Sequence, residues 1–166
     1  MIITSTQEAL NRKFPEPVAL VTCSGNNGKD NVITVGWFMQ TSIAPVLLAI
    51  SIGKMRFSHD LLLNAGEFVL CFPSPVQSDA VVYCGTHSGR DIDKFTKTDL
   101  MKIPARHVRA PLIAGSIASF ECRVVDSFST SDHTIFVGEV LTAYVSESKE
   151  KSVLYDYGSC ILKGLL

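Results

Sequence analysis

The sequence predicts a mainly β protein, an antiparallel β-barrel that carries two or three short helices. Three observations predict it. Apolar, β-branched runs of strand length recur along the chain, turn residues separate them, and helical stretches do not alternate with them as a parallel α/β sheet requires. A length of 166 residues suits a single domain over 1–166, and 46% apolar residues suffice to fill its core.

The elements follow in order. Val18–Cys23 is apolar and β-branched, and Ser24-Gly25-Asn26-Asn27-Gly28 stops it with strong turn chemistry. Asn31–Phe38 completes a hairpin. Pro45–Ile52 is a continuous apolar run of buried-strand length that ends at Gly53. A helix is predicted from about His59 to Asn64, capped by Ser58 and ended near Gly66. Glu67–Phe72 is a strand, and Val76–Cys84 a second helix. Leu112–Val125 reads as one long strand. Thr134–Val145 is the last, with a bend or bulge at Gly138.

Charge and cysteine usage exclude several classes. Charged residues make up 19% of the chain and the net charge is −1, so no global basic field attracts nucleic acid or an anionic membrane. The longest apolar stretch, Val46 to Ile50, is too short to span a bilayer, and the start lacks the pattern of a secretory signal. Five cysteines stand singly and are odd in number, which points to a reducing compartment, the cytoplasm. No spacing completes a zinc site, and no metal is expected.

Four segments have the residue types for chemistry. In Ser51–His59 a strand ends, a glycine turns, Lys54 and Arg56 follow at alternate positions, and Ser58 opens a helix. Helix N-termini and cations together suit a phosphate. The same residues also fit an ordinary basic loop with a serine cap. In Ser88–Phe95, Arg90 can clamp an anion while Phe95 is buried, or the charges can pair on the surface. In Thr34-Val35-Gly36-Trp37, Gly36 allows close approach to the backbone, and the only tryptophan stands beside it, near a planar ring or in the core. His133 opens a strand after a Ser-Thr-Ser-Asp turn, facing a pocket or stabilising the turn.

Taken together these segments resemble the flavin reductase-like, FMN-binding split-barrel family, which includes flavoredoxins and archaeal ferric reductases. The resemblance is carried by Asn31…Thr34-Val35-Gly36-Trp37, Thr41-Ser42…Pro45, Lys54-Met55-Arg56-Phe57-Ser58 and Gly66-Glu67-Phe68-Val69-Leu70. Ser88-Gly89-Arg90-Asp91…Asp93-Lys94-Phe95 and His133–Val140 complete it. It implies a Greek-key antiparallel split barrel. It also implies that Thr34, Val35, Gly36, Trp37 and Ser51 hold the isoalloxazine ring, that Lys54, Arg56 and Ser58 hold the phosphate, and that Arg90 and Phe95 close the site. His133 would face the open side of the flavin. A homodimer is implied too. The chain departs from the pattern at Ala44-Pro45, where two prolines are common. It departs again in the tail, where Tyr155, Tyr157 and Gly158 fit but Cys160 replaces an aromatic.

What the resemblance implies about activity is reduction of FMN by NADH or NADPH, then electron transfer to free flavin, ferric complexes or another small-molecule or protein acceptor. Bound FMN would supply the redox chemistry, so no side-chain nucleophile is needed. An electron carrier without nicotinamide activity and a non-redox binding module on the same barrel are the alternatives.

Overall fold

A computed structural model describes residues 1–147, 152–156 and 161–164. After helix α1 (Thr6–Asn11) come strands β1 (Glu16–Pro17), β2 (Ala19–Ser24), β3 (Asp30–Val35), β4 (Phe38–Ile43) and β5 (Val46–Gly53). Helix α2 (Phe57–Ala65), strand β6 (Glu67–Phe72), a 3-10 turn (Pro75–Gln77) and helices α3 (Ser78–Thr86) and α4 (Lys94–Thr98) follow. The chain continues through β7 (Lys102–Ile103), β8 (Leu112–Ile113), β9 (Ala118–Ser129), β10 (His133–Val145), β11 (Val153–Asp156) and β12 (Ile161–Gly164). The tail residues Tyr157, Gly158 and Cys160 of the sequence comparison lie outside the described residues.

Seven strands form the main sheet in the order β3-β2-β6-β9-β10-β5-β4, with every pairing antiparallel. Its two edge strands are consecutive in sequence, and only Gly36 and Trp37 separate them. Laid flat, seven strands at about 4.8 Å spacing would set the edges about 29 Å apart. Three Cα–Cα steps of about 3.8 Å bridge at most about 11 Å. The sheet must therefore curl into a barrel at that end, where the Ser51 N–H donates to the Trp37 carbonyl at 2.9 Å and carries the β4–β5 pairing one residue into the link. The two edges carry no ladder with each other, so the barrel is split.

The alternation of β5 and β10 separates inside from outside. Ile50, Ile52 and Phe136 are buried in the barrel with Val21, Phe68 and Leu70. Ser51, Gly53 and, across the ladder from Gly53, His133 face outward. Strand β2 is buried along its whole length. Its second face packs with β6 under α3, α4 and the 100–113 segment in a second core of Leu20, Val69, Val81, Phe95 and Ile113. Burial on both faces explains why Val18–Cys23 is apolar without alternation.

Several sequence expectations need correction. Asn31–Phe38 is not one strand: it breaks at Gly36-Trp37 because the chain there crosses from one sheet edge to the other, and β4 is a separate strand that the sequence reading missed. Leu112–Val125 is split where Gly115 takes φ +78, and β9 runs on to Ser129. The cap of α2 is Arg56 and not Ser58. The hydroxyl of Ser58 instead accepts from Asn31 Nδ2 at 2.7 Å. Helix α4 is not among the two helices the sequence predicts, although its Asp93 cap accepts from the N–H groups of Phe95 and Thr96. Helix α1 was also missed. Gly66 ends α2 in the left-handed region as expected.

Gly138 lies at the anticipated bulge, between Val137 and the shifted register of β9. A Cβ there would stand 2.7 Å from Phe68 Cε1 and 2.8 Å from Cys122 Cβ, both in the closed barrel core. Gly138→Ala should lower unfolding stability by about 1–3 kcal/mol through overpacking, measured as a lower denaturant midpoint. An unchanged midpoint would show that the barrel core yields at this point.

Candidate functional site

The seam of the barrel opens into a cavity of about 470 Å³. Thr34, Val35, Gly36 and Trp37 form its floor on one side, and Ser51, Gly53 and His133 on the other. Helix α3 adds Val81 and Gly85, and the far wall comes from Phe14 and Tyr155. These two rings meet edge to face at 6.2 Å, where the pairing of β1 with β11 brings the N-terminal segment to the tail.

The local geometry keeps this cavity open. A Cβ on Gly36 would meet nothing within 4 Å, so the backbone there faces free space. A Cβ on Gly53 would fill the gap between Arg56 Cγ and His133 Nε2, each 3.5 Å away. Helix α3 leans on β3 through Gly85 against Thr34 Cβ, and the Thr34 hydroxyl donates to the Val81 carbonyl. Thr34 thus offers its backbone to the cavity while its hydroxyl holds the helix. Trp37 is 57% exposed, with its ring 4.8 Å from that of His133. The position of His133 is fixed from behind by Nδ1, 2.9 Å from Asp132 Oδ1. That contact lowers the Asp132 pKa.

A second cavity of about 200 Å³ adjoins the first, and Arg56 and Gly85 line both. Its walls are the first turn of α2 with Ser58, the loop Ser88-Gly89-Arg90, and Lys94. No side chain caps α2, so its first N–H groups lack the usual side-chain acceptor. Lys94 is only 4% exposed, and its ammonium donates to the carbonyls of Val32 (2.9 Å) and Cys84 (2.8 Å). No carboxylate among the described residues lies within ion-pair distance of it. The neighbouring thiols supply no counter-charge either. Burial pushes Cys23 up to about 12 and Cys84 up to about 11, so both stay protonated at neutral pH. Burial likewise pushes the Lys94 pKa down. The Arg56 guanidinium, which is exposed, has no ion pair among the described residues. An unpaired buried cation costs several kcal/mol, about 3–5 when a pair is broken. An anion in the small cavity would offset that cost.

The structure brings together most of the residues singled out in the sequence. Thr34, Val35, Gly36, Trp37, Ser51 and His133 line the large cavity, Ser58 and Arg90 line the small one, and Arg56 lines both. Lys54 and Phe95 stand apart. Lys54 Nζ donates to the carbonyls of Thr130 (2.9 Å) and Ser131 (2.8 Å), in the turn just before His133. Phe95 is packed in the second core and borders neither cavity. The sequence reading missed Lys94 in its place. Its signal was the Asp93 cap, which starts a helix and turns the next residue inward.

Residues 11–162 match the family model described as flavin reductase like domain. A protein of Archaeoglobus fulgidus is 40% identical over 113 residues, which cover 68% of this chain and 64% of that protein's length. An NADH-dependent FAD reductase of Streptomyces globisporus is 33% identical over 131 residues, 78% of this chain and 70% of the reductase. An FMN-binding protein from Thermus thermophilus, solved with bound p-hydroxybenzaldehyde, superposes with a TM-score of 0.86 at 27% identity, covering 99% of this chain and 95% of its own.

The floor of the small cavity depends on one close approach. A Cβ on Gly89 would stand 2.0 Å from Asn31 Oδ1, and the Asn31 amide is held by its bond to buried Ser58. Gly89→Ala should displace the loop Ser88–Arg90 and cost about 1–3 kcal/mol of stability, read as a fall in thermal midpoint. Retention of the wild-type midpoint would mean that Asn31 moves aside freely.

Proposed function

The chain belongs to the flavin reductase-like family, and from that premise we propose that it is a flavin-dependent oxidoreductase that holds FMN and is reduced by NADH or NADPH. The observation that carries this reading is the unpaired cation set of the small cavity, Lys94 with Arg56 and the uncapped end of α2, opening directly into a cavity floored by backbone and Trp37. One ligand that fits both is a planar ring system tethered to a phosphate. The related NADH-dependent FAD reductase and FMN-binding protein support a flavin. We favour FMN because the small cavity, about 200 Å³, offers one compact cationic pocket for a terminal phosphate.

When bound, FMN supplies hydride acceptance and electron transfer to free flavin, a ferric complex or another acceptor. The chain's own residues bind and orient. The Thr34–Trp37 backbone and Ser51 hold the ring. Arg56, Ser58, Arg90 and Lys94 surround the phosphate. Lys54 acts at one remove: by tying down the Thr130–Ser131 turn it positions His133. We assign His133 to the open face of the ring, where its imidazole orients the nicotinamide or acceptor and carries a proton. Burial of the four described free cysteines, Cys23, Cys71, Cys84 and Cys122, agrees with a cytoplasmic setting.

We also propose that the protein works as a homodimer. Met39 and Ile43 on edge strand β4, Trp37 in the link just before it, and Val125 and Phe128 on β9 are exposed apolar side chains on or beside strands of the same sheet.

Arg56→Ala should weaken FMN about tenfold to hundredfold and leave riboflavin nearly unchanged, since one charge-assisted contact is worth about 1.5–3 kcal/mol. Fluorescence titration with both ligands measures this, and equal weakening would place Arg56 away from the phosphate. His133→Ala should keep FMN content and thermal midpoint while anaerobic reduction by NAD(P)H slows at least about tenfold, or about 1.4 kcal/mol of barrier. Loss of stability and flavin together, with an unchanged rate per bound flavin, would make His133 structural. Flavin bands that fail to bleach with either nicotinamide would indicate an electron carrier. Sedimentation should give twice the 18.1 kDa of one chain; a monomer at micromolar concentration would overturn the dimer.

A further inference from the structure

Arg90 lines the small cavity, yet its guanidinium is spent elsewhere. Nη2 donates to Asp60 Oδ2 at 3.2 Å, Nη1 donates to the Met55 carbonyl at 3.1 Å, and the group lies 5.7 Å over the Phe57 ring. Asp60 itself borders neither cavity. Its second oxygen, Oδ1, stands 3.6 Å from His59 Nδ1. That nitrogen is buried and has no hydrogen-bond partner among the described residues, while His59 Nε2 lies 2.8 Å from Thr134 Oγ1. His59 is 8% exposed.

We propose that Asp60 is an internal stand-in for the ligand's phosphate: it occupies the Arg90 guanidinium at the wall of the small cavity, and a phosphate that arrives there takes Arg90 from it. The proposal rests on the phosphate reading of that cavity. Two physical arguments carry it. The Arg90–Asp60 pair is about half exposed at both side chains, 49% and 56%, and such pairs are weak. A phosphate oxygen in a cavity already lined by Lys94 and Arg56 is the stronger acceptor for a guanidinium. The freed carboxylate also has a second destination. The orphaned His59 Nδ1 needs only a small side-chain rotation of Asp60 to gain a partner. In that arrangement Nδ1–H donates to Asp60, and Nε2 accepts from the Thr134 hydroxyl. The exchange moves no net proton, and the Met55 carbonyl that loses Arg90 belongs to an exposed residue open to solvent. Asp60 is therefore a positioning residue that sets how strongly the site favours phosphorylated over unphosphorylated flavin.

The test compares wild type, Asp60→Asn and Asp60→Ala by fluorescence titration with FMN and with riboflavin. Both variants should bind FMN about twofold to fivefold more tightly, the worth of an exposed ion pair, with riboflavin unchanged. A second readout needs no turnover. The ¹⁵N shift of His59 Nδ1 should move when FMN or inorganic phosphate is added to wild type, stay still with riboflavin, and stay still in Asp60→Ala with any of the three. FMN affinity that is unchanged or weaker in both variants, with the phosphate preference of wild type intact, overturns the role of Asp60 alone. FMN and riboflavin binding alike to wild type overturns this proposal together with the phosphate reading.

Discussion

The two-residue link between Val35 and Phe38 governs the shape of the barrel and the place of its cavities. It joins the opposite edges of a seven-stranded sheet, so the sheet has to close at that end. Closure cannot be perfect there, because the linking residues run across the seam and do not form a ladder with both neighbours. A notch is left beside Gly36 and Trp37, and the large cavity lies in it. The candidate binding site is therefore a product of how the barrel shuts. Gly36, whose missing side chain leaves open space, and Trp37, which stays exposed, are the residues that make the notch roomy and flat.

Charge distribution completes the site by a different route. Most charged groups of the chain either face solvent or pair with a neighbour, as Lys102 does with Asp30 and Arg109 with Glu67. Even the fully buried carboxylate of Glu121 is satisfied, by the N–H groups of Arg106 and His107 and the hydroxyl of Tyr144. Among the described residues Lys94 is the exception. Its ammonium is buried against two carbonyls and carries a charge that nothing among the described residues balances. A fold tolerates such a group at a cost in stability, and an anion bound next to it, as proposed above, would recover that cost. On that proposal, stability and ligand affinity are coupled through one side chain at the foot of α4.

The two cavities are also coupled mechanically. Arg56 borders both, and α2, which starts directly after it, carries Ser58 toward the small cavity and His59 toward the start of β10. The hairpin turn before His133 is fixed by Lys54 from the same loop. One short stretch, Lys54–Asp60, therefore reaches the cation-lined pocket, the strand that bears His133, and the loop of Arg90.

The class of fold and most of the site's membership are legible in the order of residues along the chain. β-branched runs and turn residues mark β2, β5, β6 and β10, because burial and tight turns impose local composition. The family pattern likewise gathers Thr34–Trp37, Ser51, Arg56, Ser58, Arg90 and His133, which do line the cavities. Where strands break and which cation is buried follow from packing between elements distant in the chain. The break at Gly36-Trp37 answers to the distance between sheet edges, a non-local quantity with no local signature. Lys54 and Lys94 look alike in sequence, both lysines beside a glycine turn or a cap. One reaches two exposed carbonyls on a hairpin, and the other points under α3 into a pocket. The direction of a side chain is set by the elements packed around it, and those come together only when the barrel closes.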